Sequence, residues 1–70
     1  MGLHRGKVYS MLEQAKEQER KVYIFFADGT VKRFRIVDVT PPIAYGIRDD
    51  IADSTTQSIP ITKVTAVEWA

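Results

Sequence analysis

The hydrophobic pattern of this chain changes its period once, at Lys21, and this change divides the sequence into one helix and a series of short strands. Before Lys21, apolar residues recur at the i, i+3, i+4, i+7 spacing of an amphipathic helix, which we predict over residues 5–19. The start of this helix is left open, because Ser10 and Glu13 fit a capping box although the apolar stripe begins one turn earlier. The stripe consists of Val8, Met11, Leu12 and Ala15.

The segment after Lys21 has the composition of a buried strand. Residues 22–27 read Val-Tyr-Ile-Phe-Phe-Ala, which is too continuously apolar for a strand with one wet face, so we expect both faces to be covered. Asp28-Gly29 follows and predicts a type I′ turn, in which both central residues have positive φ. The first strand therefore turns back into a second strand.

The second strand, Thr30 to Thr40, changes its apolar phase part-way along. Phe34 and Ile36 share one face, whereas Val37 and Val39 share the other, and such a slip predicts a bulge or sharp bend. Pro41-Pro42 then ends the strand, because proline cannot donate a hydrogen bond to a sheet ladder.

Three more strands follow. Ile43, Tyr45 and Ile47 alternate with Ala44 and Gly46, which predicts a third strand whose small-residue face is pressed against another element. A polar loop runs from Arg48 to Gln57, a short fourth strand contains Ile59 and Ile61, Thr62-Lys63 forms a corner, and residues 64–69 form a fifth strand. We therefore predict a mostly β single domain over residues 1–70: an N-terminal amphipathic helix followed by a strongly bent five-stranded antiparallel small barrel over residues 21–69.

Length and composition limit how such a domain is stabilised. The core of a 70-residue domain supplies only a few kcal/mol of net stability. The chain has no cysteine for a disulfide, and its single histidine, His4, has no partners for a structural metal site. Oligomerisation is the remaining common means of stabilisation. No apolar run is long enough for a membrane span, and the basic segment 1–7 leads into a polar helix instead of an apolar signal. We expect a cytoplasmic protein without a membrane partner.

The sequence offers little for catalysis. It has no nucleophile motif, no supported carboxylate pair and no glycine-rich phosphate loop, so we predict no enzyme activity, no cofactor and no metal site. Asp49, Asp50 and Asp53 lie close together but lack the ligand spacing of a calcium loop, which favours a solvated loop. His4 has no second ligand nearby and is interpreted as a surface side chain.

Positive charge is concentrated in the first half of the chain. Residues 1–35 carry eight Lys and Arg against four Asp and Glu, whereas residues 36–70 carry two against five. Lys32, Arg33 and Arg35 on the second strand accompany Phe25 on the first, and basic side chains beside an aromatic face suit single-stranded nucleic acid. The alternative is that these charges only keep an exposed strand soluble.

The order of elements and the spacing of their apolar residues resemble the Sm-type barrel, and within it the bacterial Hfq branch. The resemblance covers roughly residues 8–68. Its first part is Met11-Leu12 followed by Val22-x-Ile24-x-x-x-Asp28-Gly29, with Ile36 seven residues later. Its second part is the closing segment Ser58-Ile59-Pro60-Ile61-Thr62-Lys63-Val64-Thr65-Ala66-Val67.

The resemblance implies a homo-oligomeric ring of about five to seven subunits, in which strand four of one barrel pairs with strand five of the next. Pro60 should then lie with its nitrogen away from the neighbouring strand or at the edge of its own strand. The resemblance also implies that Phe25, Gly29, Thr30 and Arg33 lie on a face that takes purine-rich single strands.

Several positions depart from the family pattern. Phe34 stands where the family carries a glycine at the bend of strand two, so the bend must be made differently. Pro41-Pro42 and Ile61-Thr62 replace the residues of the family's uridine pocket, and Glu17 and Glu19 replace positive charges on the outer helix. The resemblance therefore does not extend to uridine binding or to annealing at the rim.

These observations lead to three hypotheses. The first is an Sm- or Hfq-like ring that binds single-stranded RNA, with Phe25, Gly29, Thr30, Lys32, Arg33 and Arg35 as the RNA-binding residues. The second is an Sm-like ring or small barrel that serves as a scaffold for other proteins without binding RNA. The third is a monomeric adaptor barrel.

Overall fold

A computed structural model describes residues 3–52 and 54–70 and confirms the predicted fold class. One helix precedes a five-stranded antiparallel sheet. Asp53 and the side chain of His4 lie outside the described residues, so the interpretations given to them stay predictions. The elements are α1 (Leu3–Gln18), β1 (Lys21–Phe26), β2 (Val31–Thr40), β3 (Ile43–Arg48), β4 (Thr56–Pro60), a 3₁₀ turn (Ile61–Lys63) and β5 (Val64–Trp69).

Helix α1 buries the predicted stripe: Val8, Leu12 and Ala15 are buried, and Met11 packs against them. The helix begins at Leu3, so Ser10 lies inside it and does not form a capping box with Glu13. Its Oγ instead accepts a 3.2 Å hydrogen bond from the Gln14 side chain.

The C-terminus of α1 is closed by a Schellman motif. Glu19 has a φ of 54°, the N–H of Arg20 donates to the Ala15 carbonyl at 3.0 Å, and the N–H of Glu19 donates to the Lys16 carbonyl at 3.3 Å. A left-handed conformation is costly for glutamate, and glycine is the usual residue at this position. The chain reverses here and enters β1.

The predicted β1–β2 hairpin is present, but the predicted type I′ turn is wrong. Positive φ occurs at Gly29 (91°) and not at Asp28. The N–H of Gly29 donates to the Phe26 carbonyl, and the N–H of Phe26 donates to the Thr30 carbonyl, which is a type I turn followed by a glycine bulge. The Asp28 carboxylate accepts hydrogen bonds from both the backbone N–H and the hydroxyl of Thr30, and these bonds lower its pKa.

The expectation that both faces of β1 are covered is also wrong. Val22 and Ile24 are buried, whereas Tyr23 retains 37% of its exposure and Phe25 is half-buried. In the described residues, α1 is the one α-helix, and it packs on the concave side of the sheet, where the core lies. The aromatic residues on the convex side therefore face solvent.

The bend of β2 is made by a bulge at the predicted place. The register between β2 and β3 shifts between Ile36 and Asp38, so Val37 is the extra residue. Space for the bulky Phe34 comes from the partner strand: an added Cβ at Gly46 would lie 3.1 Å from Phe34 Cδ1. The glycine that permits this packing is thus on β3, and the predicted small-residue face of β3 is confirmed by the burial of Ala44 and Gly46.

The sheet order is β4-β3-β2-β1-β5, so β4 and β5 are its two end strands. Within residues 3–52 and 54–70 no ladder joins β4 to β5. The 3₁₀ turn connects them at one end, where Ile61 N–H donates to the Pro42 carbonyl and Ala27 N–H donates to the Lys63 carbonyl. The sheet curls around its core, and among the described residues the outer edges of β4 and β5 have no strand partner.

Candidate nucleic-acid interface

The convex side of β1 and β2 carries aromatic and basic side chains in register with one another. Strand residues alternate between the two faces, and the buried residues Val22 and Ile24 fix which face is concave. Antiparallel pairing then places Lys21 opposite Arg35, Tyr23 opposite Arg33, and Phe25 opposite Val31. We call these six residues the outer face.

The apolar part of the outer face is accessible. Tyr23 and Val31 are 37% and 46% exposed, and Phe25 is half-buried. Tyr23 and Phe25 are two residues apart on one strand, so their Cα atoms are separated by about 7 Å. Two aromatic rings are thus presented side by side to solvent, with the cations of β2 next to them.

The structure brings together only some of the residues predicted to bind RNA. Phe25, Arg33 and Arg35 lie on the outer face, whereas Lys32 pairs with Ile24 and lies on the other side of β2, where its Nζ is 5.2 Å from the Phe26 ring centroid. Gly29 and Thr30 lie in the hairpin that follows β1 and precedes β2, beyond the end of the Phe25–Val31 pair.

Arg33 is not a free cation. Its Nε lies 2.6 Å from Asp49 Oδ2, and its guanidinium carbon lies 5.9 Å from the centroid of the Tyr23 ring. Arg33 Nε and Asp49 Oδ2 are both buried, yet neither has a well-aligned hydrogen bond, so their contact is an ion pair. The Tyr23 hydroxyl, and then the Asp49 charge, raise the pKa of Arg33. Lys21 Nζ reaches the other oxygen of Asp49 at 3.3 Å.

The neighbouring carboxylate holds the chain after β3 in place. Asp50 accepts two hydrogen bonds from Arg48, at 2.7 and 3.0 Å, and a third from the backbone N–H of Arg33 at 3.2 Å. These bonds, led by those from Arg48, lower the pKa of Asp50 to about 2. The same pairing raises the pKa of Arg48. The acidic loop is therefore tied to the basic strand.

Arg35 is the outer-face cation that stays available. It is exposed, and within residues 3–52 and 54–70 it makes no ion pair or side-chain hydrogen bond. Sequence reasoning missed Tyr23 and Lys21. The spacing of Lys21, Tyr23 and Phe25 at every second residue places them on one face of β1. The expectation that both faces of β1 are covered excluded that face as a binding surface.

No family model matches this chain, and no curated protein or solved structure is significantly similar to it. Across the described parts of the chain, no group of three or more His, Cys, Asp and Glu side chains is placed to hold a metal ion. No helix in those parts is long and apolar enough to cross a bilayer.

A shallow apolar groove lies away from the outer face, between α1 and β5. Its volume is about 220 Å³. It runs beside β5, one of the two end strands of the sheet, and it contains none of the outer-face residues. Its lining residues are Lys7, Val8, Met11, Ala66 and Val67.

Proposed function

We propose that this protein binds single-stranded RNA on the outer face of its sheet, as a homo-oligomeric, Sm-like assembly. The observation that carries the proposal is the pair of solvent-facing rings, Tyr23 and Phe25, with Arg33 opposite Tyr23 and Arg35 two residues further along β2. A cytoplasmic location belongs to the same proposal.

The spacing of the rings suits an extended strand. Their separation of about 7 Å is about twice the 3.4 Å rise of stacked nucleotides. Each ring therefore has room for the face of one unstacked base. Stacking on an aromatic side chain contributes about 1–3 kcal/mol per base and tolerates any base, because every base has a π-face.

The charges of the outer face supply contacts for the phosphate backbone. Arg35 is exposed and makes no ion pair within the described residues. Lys21 lies opposite Arg35 in the β1–β2 ladder, and its side chain is 51% exposed. These two cations flank Tyr23 on the side away from Phe25. A strand that follows β1 would thus meet bases on the rings and phosphates on the cations.

Assembly is supported by the two unpaired strand edges and by the resemblance to Sm-type proteins. Ile61 N–H donates to the Pro42 carbonyl, so the adjacent Ile43–Pro60 pair is not hydrogen-bonded and the nitrogen of Pro60 points to the free edge of β4. This is the side on which a neighbouring strand would pair, contrary to the expectation that the nitrogen lies away from it, but Pro60 is the last residue of β4 and removes a donor only at the end of that edge. Thr56 and Ser58 direct their N–H groups to the same edge. An unpaired edge can form a ladder with a strand of another subunit. At β5, the other end strand, the groove adds apolar surface that a second subunit could cover.

RNA binding is tested by fluorescence anisotropy with labelled A-rich and U-rich 12-mers at two salt concentrations. Phe25→Leu keeps an apolar side chain but removes the ring, so we expect affinity to fall by at least about fivefold, whereas Phe25→Tyr keeps the ring and should bind as the wild type does. Absence of wild-type binding even at low salt would refute the proposal, since phosphate contacts are strongest there.

The role of Arg35 is tested with a charge-matched control. Arg35→Ala should weaken binding and reduce the slope of log K against log salt by about 0.7, the value of one phosphate contact to a single strand. Lys16→Ala removes the same charge from the exposed side of α1, away from the outer face and from the groove, and should leave the slope unchanged. Equal effects of both variants would mean that only the net charge matters.

A protein scaffold is the second candidate, and the ion pairs of Asp49 with Arg33 and Lys21 favour it because they neutralise cations of the outer face. Affinity capture from a native lysate with and without nuclease separates the two functions: protein partners that persist after nuclease support the scaffold. Light scattering decides on assembly. A mass about five to seven times that of the 8.0 kDa chain is expected, and a monomer would favour the adaptor hypothesis.

A further inference from the structure

One row of side chains crosses the outer face from β1 to the segment after β3. Tyr23 pairs with Arg33, and Arg33 in turn lies beside Asp49, whose backbone N–H donates to the Arg33 carbonyl at 3.0 Å. Residues 23, 33 and 49 therefore stand side by side on three neighbouring segments. Lys21, two residues before Tyr23, reaches into the same row.

The centre of this row is one carboxylate held by two cations. Asp49 Oδ2 lies 2.6 Å from Arg33 Nε, and Asp49 Oδ1 lies 3.3 Å from Lys21 Nζ. The Asp49 side chain is 24% exposed, against 35% for Arg33 and 51% for Lys21. Two positive charges thus surround one negative charge, at a partly covered position next to an aromatic ring.

We propose that Lys21 and Arg33, beside the Tyr23 ring, form a phosphate-binding site, and that Asp49 occupies this site as an internal substitute for the phosphate. This inference rests on the proposed function. It identifies the ligand of this row as a phosphodiester of a single strand, and it identifies Asp49 as the group that the strand must displace.

The chemistry of the two anions supports the exchange. Carboxylate and phosphate present similarly spaced oxygens to a guanidinium group, and arginine binds either through the same planar set of donors. A lysine beside it adds a second positive charge. A phosphodiester carries one negative charge, as Asp49 does, so replacement of one by the other leaves the charge balance of the site unchanged.

The position of Asp49 allows the exchange without unfolding. Asp49 follows the last residue of β3, and a rotation of its side chain can release Arg33 Nε while the backbone bond between the two residues persists. The 3.5 Å hydrogen bond from Arg33 Nη2 to the Asp49 backbone carbonyl does not depend on that rotation and holds the guanidinium in place. Asp50 has the separate role of anchoring this segment through Arg48 and the Arg33 backbone. The competing carboxylate and the anchoring carboxylate are thus different residues.

The test compares Asp49→Asn with Asp38→Asn. Asp38 pairs with Lys16 of α1 at 3.4 Å, so both variants remove one surface carboxylate that pairs with a cation, but only one of them lies in the row. With a labelled A-rich 12-mer at low salt, we expect Asp49→Asn to bind at least about fivefold more tightly, and Asp38→Asn to change affinity less than twofold. The salt slope of Asp49→Asn should rise by about 0.7–1.4, which corresponds to one or two additional phosphate contacts.

A second measurement does not depend on RNA. Titration with inorganic phosphate, followed by ¹⁵N NMR of the Arg33 Nε–H group, should give a saturable shift in Asp49→Asn and a much weaker one in the wild type and in Asp38→Asn. In the 12-mer titration, adding Arg33→Gln to Asp49→Asn should abolish the gain in RNA affinity. If Asp49→Asn does not fold, the wild type is used, and the ¹³Cγ resonance of Asp49 should move when the 12-mer is added.

The outcomes separate the two proposals. RNA binding by the wild type, with equal effects of Asp49→Asn and Asp38→Asn and no phosphate shift at Arg33, would overturn the phosphate site and leave the proposed function standing. A phosphate shift confined to Asp49→Asn, with no RNA binding by any variant, would support the anion site and refute the proposed function. Weaker RNA binding by Asp49→Asn would overturn the proposal that Asp49 competes with the RNA phosphate.

Discussion

Of the glycines that the structure describes, Gly46 is the one at which an added Cβ would meet packed neighbours. A Cβ built on it would lie 3.1 Å from Phe34 Cδ1, 3.3 Å from Phe34 Cβ and 3.2 Å from the Arg35 carbonyl oxygen. Ordinary contacts between nonbonded carbon atoms are about 3.5–4.0 Å, so the neighbours must move by roughly half an ångström. Phe34 is only 2% exposed and Arg35 O belongs to the paired backbone of β2, so neither can move freely.

The expected magnitude for Gly46→Ala follows from two opposing terms. Overpacking a filled core costs about 1–3 kcal/mol. Replacing glycine with alanine also lowers the conformational entropy of the unfolded chain, which stabilises the folded state by about 0.4–1 kcal/mol. We therefore expect a net loss of about 1–2 kcal/mol in the free energy of unfolding. With a urea m-value of about 1 kcal/mol/M for a small domain, the midpoint should fall by about 1–2 M.

The assay is urea unfolding at a fixed protein concentration, followed by circular dichroism and by the fluorescence of Trp69, the single tryptophan. Gly6→Ala is the matched control, because Gly6 lies in α1 and an added Cβ there meets nothing within 4 Å. It should gain about 0.5–1 kcal/mol from helix propensity. The reasoning is refuted if Gly46→Ala is as stable as the wild type or more so, with an unchanged m-value, while Gly6→Ala behaves as expected.

Two further predictions concern local conformation and charge. Glu19→Gly should raise the free energy of unfolding by about 0.5–1 kcal/mol, because glycine takes the left-handed φ at the end of α1 without strain, and thermal unfolding that shows no gain would contradict the Schellman motif. The folded-state pKa of Asp50, about 2, is below the ordinary 3.8, so its contribution to stability is complete above about pH 4 and is lost as the pH falls toward 2. Asp50→Asn should reduce the loss of unfolding free energy between about pH 4 and 2, by no more than about 1 kcal/mol because the Asp50–Arg48 pair is accessible to solvent. If the unfolding free energy of the variant falls with acid as steeply as that of the wild type, Asp50 is not the group responsible.

Much of the fold was predictable because its signals are local. The apolar stripe of Val8, Leu12 and Ala15 depends on residues at most seven positions apart, and α1 buries all three. The phase slip after Ile36 predicted a bulge, and the register shift occurs there. The turn at Asp28-Gly29 was predicted as a hairpin but with the wrong type, since both turn types place glycine at a residue with positive φ.

The candidate site was predicted less completely, because it depends on the number of layers and on strand pairing. The composition of β1 does not predict the exposure of Tyr23, because it indicates two covered faces, whereas α1 covers only the concave face of the sheet. Lys32 was grouped with Arg33 by sequence proximity, although consecutive strand residues point to opposite faces. The resemblance to the Sm and Hfq proteins stays a prediction.

Local sequence signals thus suffice to place the ends of the helix and strands to within a few residues, the bend of β2, and the apolar residues of the core. Hydrophobic period and turn chemistry act over a few residues and can be evaluated without the partner strands. The pairing of Asp49 with Lys21 and Arg33, residues 28 and 16 positions away in the chain, has no such local signal. That contact depends on the register of three segments, and it separates the basic cluster of β2 into a paired Arg33 and an available Arg35.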